Sequence, residues 1–273
     1  DSRQGRGRTV AAVLIASLAS APPLAAQTDY YNTDRGRPIQ IEDAYAAERY
    51  ALELKLAPVQ LERAAGGIYH WGIEPEIAFG FLPRTHLEVG VPLSFAEGSG
   101  GKQSGIGGIE MSLFHNLNAE TAGLPALALR ADVLAPVGSL AADAWYTSFT
   151  GIATRTMPWA RVHVNGQYTL GEDIAVGGGA IEASRWLAGL AVDKAFPLRS
   201  MLFTIEGFAR KPLIGLETDP EFTAGAGVRY QLSPTLALDG GAGRRLNGDD
   251  QGWYITFGTA YAFGLRSLFP SGR

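Results

Sequence analysis

The chain reads as an all-β protein, a transmembrane antiparallel up-and-down β-barrel with twelve strands, and three observations predict it. Twelve short stretches alternate apolar residues with polar or very small ones, which gives each strand one apolar and one polar face. Beyond the N-terminal leader no segment offers about 18 consecutive apolar residues, so helical membrane spans are excluded. The connections alternate between tight and long, the habit of barrels with short turns at one membrane face and longer loops at the other.

The elements follow in order. Arg3, Arg6 and Arg8 precede the apolar run Val10 to Leu18, and Ala21-Pro22-Pro23-Leu24-Ala25-Ala26 ends in small residues, so residues 1–26 read as a signal peptide. Residues 27–49 are polar and are expected to form a periplasmic lead-in, with the barrel over 50–263 and a C-terminal tail over 264–273. Strands are expected at 50–62, 68–81, 86–95, 106–117, 126–135, 146–155, 160–169, 185–194, 201–210, 222–231, 236–245 and 252–263. The clearest alternation is Ile73-Glu74-Pro75-Glu76-Ile77-Ala78-Phe79-Gly80-Phe81. The first strand slips register near Pro58. In the sixth, Thr150, Ile152 and Thr154 compete with Phe149, Gly151 and Ala153 for the outward face.

Tight turns are expected at Leu82-Pro83-Arg84-Thr85, Met157-Pro158-Trp159, Phe196-Pro197-Leu198-Arg199 and Ser233-Pro234-Thr235, with a longer periplasmic connection from Asn118 to Pro125. Longer Gly- and Asp-rich loops lie at 96–105, 136–145, 170–184, 211–221 and 246–251, and the short hairpin from Arg63 to Gly67 is the exception among the external ones. Aromatics on the outward parity form two groups. Trp71, Phe95, Trp145, Tyr168, Trp186, Phe222 and Trp253 sit beside the long loops, whereas Tyr50, Phe81, Phe203, Tyr230, Tyr261 and Phe263 sit at the opposite strand ends. Two belts fit two membrane interfaces; a soluble sandwich would bury its aromatics centrally.

Composition agrees. The absence of cysteine removes thiolate chemistry and cysteine metal sites, and a net charge of −4 with no basic tract argues against nucleic acid as a partner. Thirty-five glycines against three methionines suit a wall of small residues. No Gly-x-Ser-x-Gly, His-Glu-x-x-His or Walker-type loop is present, and the histidines at 70, 86, 115 and 163 are scattered. No enzyme activity, cofactor or metal site is expected.

Arg37-Pro38-Ile39-Gln40-Ile41-Glu42-Asp43-Ala44, Gly72-Ile73-Glu74-Pro75-Glu76-Ile77-Ala78-Phe79-Gly80 and His115-Asn116-Leu117 resemble a family of Gram-negative outer-membrane proteins, putative transporters of the MetA-pathway of phenol degradation type. The final Tyr261-Ala262-Phe263 resembles the aromatic-ended strand used for barrel insertion. The resemblance implies outer-membrane lipid and the barrel-assembly machinery as partners. It also implies, loosely, transport of small aromatic or apolar solutes.

The candidate lumen-lining residues are Glu53, Lys55, Glu74, Glu76, Glu88, Glu110, Arg130, Asp132, Arg161, His163, Asn165, Gln167, Glu206, Arg210, Arg229, Asp239 and Arg245, and Asp193 shares their parity. Buried unpaired charge is prohibitive, so these groups must be paired or wetted. Glu74, Glu76, Glu88 and Glu110 predict an acidic wall facing a more basic one. The expected function is passive passage of small solutes through a narrow polar lumen. Two alternatives stay open: a plugged structural or interaction barrel that acts through its external loops, and a lipid-modifying barrel enzyme using His115. A closed barrel predicts heat-modifiability: on a detergent gel the unboiled protein should migrate apart from the boiled one, and one unchanged band with a helix-rich circular dichroism spectrum would remove the barrel.

Overall fold

The computed structural model describes residues 32–63, 69–98, 101–173, 184–213, 219–248 and 251–264. The expected signal peptide, the hairpin at 64–67 and the tail beyond Gly264 fall outside these. Among the described residues no helix is long and apolar enough to cross a membrane. The chain forms strands β1 (Ala51–Arg63), β2 (Tyr69–Leu82), β3 (Thr85–Gly90), β4 (Leu93–Gly98), β5 (Gly101–Ile106), β6 (Ile109–Asn118) and β7 (Ala126–Ala135). Then follow β8 (Tyr146–Thr156), β9 (Arg161–Leu170), β10 (Ser184–Phe196), β11 (Met201–Pro212), β12 (Glu221–Ser233), β13 (Leu236–Arg245) and β14 (Trp253–Gly264).

All pairings are antiparallel, and β14 closes on β1 from Ala51↔Gly264 to Arg63↔Trp253. The fourteen strands make twelve staves, because β3 and β4 both pair with β2 and are halves of one stave, as β5 and β6 are of the next. The breaks have local causes. Pro92 has no N–H to give to a ladder. Across from it Gly107 donates to the Pro92 carbonyl at 2.8 Å, and Gly108 sits at φ +149°, a conformation that favours glycine. The expected loop 96–105 is largely strand instead, since β4 and β5 continue as an exposed hairpin with Glu97 opposite Lys102.

Register follows the sequence elsewhere. The expected slip near Pro58 is a shift between Leu56 and Val59 against both neighbours. In β8 the competition is resolved: Phe149 and Gly151 are exposed, while Thr150, Ile152 and Thr154 are buried inside. Exposed Leu56, Ile77, Leu113, Leu129, Val164, Ile205 and Phe257 give the outside an apolar band that only lipid can cover without cost. Trp71 stacks on Phe95 with centroids 3.9 Å apart at one rim, and Phe196 meets Phe203 edge-on at 5.6 Å at the other.

Ile205 is 61 % exposed in mid-β11. Ile205→Arg should therefore destabilise the barrel by roughly 2–4 kcal/mol in reversible unfolding from lipid. Gln103→Arg on the exposed hairpin should be neutral, and equal costs would mean that the band does not face hydrocarbon.

Candidate functional site

The polar faces of the staves point inward, and the lumen they form is occupied. Residues 32–48 do not form the expected lead-in outside the barrel; they thread through it. Ile39, Ile41, Ala44, Arg37, Glu42 and Asp43 are all buried. Apart from a short Asp34↔Arg37 bridge, the segment has no strand partner among the described residues, so its main-chain groups need other hydrogen bonds inside the bore.

Wall side chains supply them. Thr256 Oγ1 donates to the Pro38 carbonyl at 2.8 Å, and Glu206 Oε2 accepts from the amides of Gln40 and Ile41, each at 2.9 Å. Asn165 accepts from the Glu42 amide and donates to the Glu42 carbonyl, both at 2.9 Å. The Ala44 amide donates to Thr154 Oγ1 at 2.9 Å, and Asn116 Nδ2 donates to the Ala44 carbonyl at 2.6 Å. The Ala47 amide donates to His86 Nδ1 at 3.1 Å, which leaves the ring proton on Nε2; that ring stacks on Phe114 at 4.8 Å.

Charge holds the turn at 34–37 across the bore. Arg37 reaches Asp239 at 3.4 Å, the Thr259 carbonyl at 3.1 Å and Glu53 at 3.9 Å on one side. Arg35 reaches the opposite wall, where it pairs with Asp132 at 3.0 Å and with Glu110. Asp34 lies 3.0 Å from Arg229 and 3.5 Å from Lys55. Burial alone would raise the Asp34 carboxyl, but Lys55, Arg37 and Arg229 outweigh it and hold it well below the usual carboxylate range. Burial wins at Glu42 and Asp43: it pushes Glu42 up to about 7 against Arg130, and Asp43 up to about 6 against Arg161.

Small residues make room. Ile41 packs among Leu187, Ala191 and Phe208, and a Cβ on Gly189 would meet Ile41 Cδ1 at 2.5 Å. A Cβ on Gly227 would stand 2.7 Å from Pro38 Cβ, and one on Gly241 would run into the Pro38 carbonyl. Ala44 and Tyr45 pack on Phe114, Ala126, Ala128 and Ile152. A cavity of about 30 Å³ remains beside the segment, bordered by Glu53, Lys55, His86 and Arg229.

The sequence-predicted lumen residues fall into clusters. Lys55 bridges Glu88 and Glu76, the latter at 3.6 Å. Arg130 lies 2.9 Å from Glu88, 2.7 Å from Asp132, 3.7 Å from Glu110 and 3.4 Å from Glu42. Arg161 and His163 share Asp193 at 2.6 and 2.9 Å, and Arg229 lies 3.4 Å from Asp239. Arg210 and Arg245 converge on Glu221, the former at 2.9 Å. Gln167 lies 3.5 Å from Thr169. Glu74 makes no ion pair among the described residues and packs against Gly90. The predicted acidic and basic walls are thus not left facing an open bore, because Arg35, Lys55 and Arg130 insert among the carboxylates.

Sequence reasoning missed the segment's own Asp34, Arg35, Arg37, Glu42 and Asp43, and with them His86, Asn116, Thr154, Glu221, Thr256 and Tyr254, whose hydroxyl donates to Glu206 Oε1 at 2.7 Å. One signal was present: Ile39-Gln40-Ile41-Glu42 alternates as a strand does. His115 stays on the outer face, its Nδ1 2.8 Å from the Thr85 hydroxyl, so its neighbour there is a threonine. Among the described residues no three His, Asp or Glu side chains converge to hold a metal ion.

No protein-family model matches the sequence, and comparison with curated proteins gives no match. Solved structures do match. A structure described as KdgM porin has a TM-score of 0.51 at 13 % identity, covering 78 % of this chain and 99 % of that one. The COG4313 outer membrane channel from Pseudomonas putida F1 gives 0.51 at 13 % identity, covering 81 % and 98 %. At that identity the likeness is one of fold alone, that of a closed antiparallel outer-membrane β-barrel.

The glycines make a prediction. Gly241→Val should expel the segment while keeping the strand pairing. Limited proteolysis should then cut within 32–48 in the variant and not in the wild type, with heat-modifiability unchanged. Equal protection would show that the wall yields instead.

Proposed function

We propose that this protein is an outer-membrane channel for passive passage of ions and small polar solutes, its bore narrowed by residues 32–48. Outer-membrane lipid surrounds it, and export through the signal peptide delivers it. One observation carries this reading: the filling of the barrel is ionic and hydrogen-bonded rather than apolar. A barrel that needed only to be filled would be at least as stable with an apolar interior, because buried ion pairs seldom outweigh their desolvation. Polar walls are what a conduit needs, and hydrogen bonds and ion pairs can exchange with water when the segment shifts. The charged interior favours polar solutes over the aromatic or apolar ones that the resemblance to the phenol-degradation type of transporter would imply, and membership of that family belongs with this proposal.

A second reading is favoured by the occupied bore itself: a structural barrel that works through its external loops. Conductance separates the two. In planar bilayers the wild type should pass a small, cation-preferring current, because carboxylates outnumber cationic groups around the segment. Glu74→Gln, Glu76→Gln and Glu88→Gln together should lower that preference, read as a shift in reversal potential under a salt gradient. Gly241→Val should raise conductance several-fold. If neither the wild type nor Gly241→Val conducts, the structural reading replaces the channel.

A further inference from the structure

We propose that the lumen wall is a binding site for an extended peptide, occupied here by residues 38–47 of the same chain. The wall reads this segment chiefly through its main chain. Thr256, Glu206, Asn165, Thr154, Asn116 and His86 come from six different staves, and between them they pair eight main-chain N–H and C=O groups between Pro38 and Ala47. Main-chain groups are common to every peptide, so these partners would serve any extended chain laid along the same path.

The geometry imitates strand addition. Asn165 takes both the N–H and the C=O of Glu42, as a neighbouring strand does at a hydrogen-bonded pair. Two residues on, the N–H and C=O of Ala44 are taken by Thr154 and Asn116. That spacing of two presents one edge of the segment to the wall at 42 and 44. Selectivity comes from pockets beside this path. Ile41 enters one formed by Leu187, Ala191 and Phe208, which Gly189 leaves open. Arg35 and Arg37 enter carboxylate sites on opposite walls. The ligand class is therefore an extended peptide with an arginine-bearing turn followed by an apolar residue at the position of Ile41.

The segment can be made a ligand in fact. Glu48 and Arg49 are exposed where the segment joins β1, so a specific protease site inserted between them can be cut after the full chain has folded. A fluorescent peptide with the sequence of residues 32–47 is then added. The cut segment should stay with the barrel and exchange for the labelled peptide, while a scrambled peptide should not bind. Asn165→Leu should weaken binding about tenfold or more, because two hydrogen bonds are lost and the peptide groups are left buried. Loss of the cut segment with no uptake of the peptide, or equal uptake of the scrambled one, would overturn the proposal.

Amide hydrogen exchange on the uncut chain gives an independent readout. The amides of Gln40, Ile41, Glu42, Ala44 and Ala47 should be protected, and Thr154→Val should open Ala44 selectively. Fast exchange at all five amides in the wild type would also overturn it. Neither measurement needs current, so a barrel that fails to conduct leaves both tests intact.

Discussion

Closure of β14 onto β1 is the contact on which the rest of this molecule depends. In hydrocarbon no water can pair an open strand edge, and each unpaired main-chain group there costs several kcal/mol. Once the ring is closed, every strand residue has one of two environments. Ile77, Leu129 and Ile205 must meet lipid, and Lys55, Glu88, Arg130 and Asp239 must meet the enclosed interior. The interior is then a confined volume in which every charge needs a partner, and the N-terminal segment supplies many of them.

The segment and the wall solve one problem for each other. Carboxylates at 110, 132 and 239 already meet the wall's Arg130 and Arg229, and Arg35 and Arg37 bring each of them a further cation from a turn that crosses the bore. Conversely, an extended segment without strand partners would leave its amides unpaired, and Glu206, Asn165, Thr154 and His86 accept from them. Side chains that look like a charged channel lining when read strand by strand are thus a matched surface for one peptide. Polar contacts of this kind contribute complementarity more than net energy, because desolvation offsets much of each ion pair.

Much of the fold was legible in the residues. Period-two alternation located the twelve staves, the inward set at Glu53, Glu88, Arg130, His163 and Arg229, and even the register slip near Pro58. A period of two states directly which side chains share a face, and lipid on one side makes that pattern strict. Where the pattern was equivocal, in β8, the outcome lay in tertiary contacts: Thr154 bonds Ala44 and His163, and Ile152 packs with Phe114 and Ala128. The hairpin of β4 and β5 was missed because Gly101, Gln103, Ser104 and Gly105 have turn-like composition, whereas cross-strand pairing with β4 decides their conformation.

What the sequence by itself determined was the closed barrel and the facing of its strands, because both follow from local alternation and from the bilayer. Only the tertiary structure decided what fills the barrel. Residues 32–48 have the polarity of a solvated leader, and the alternation at Ile39-Gln40-Ile41-Glu42 marks an extended segment without telling one bonded to water from one bonded to Asn165 and Glu206. Their place depends on partners distant in the chain, such as Thr154, 110 residues from Ala44, and Asp239, 202 residues from Arg37. It depends also on glycines at 189, 227 and 241, which open the wall where the segment passes. Such long-range complementarity exists only after the ring has closed, because closure brings those partners to a common axis.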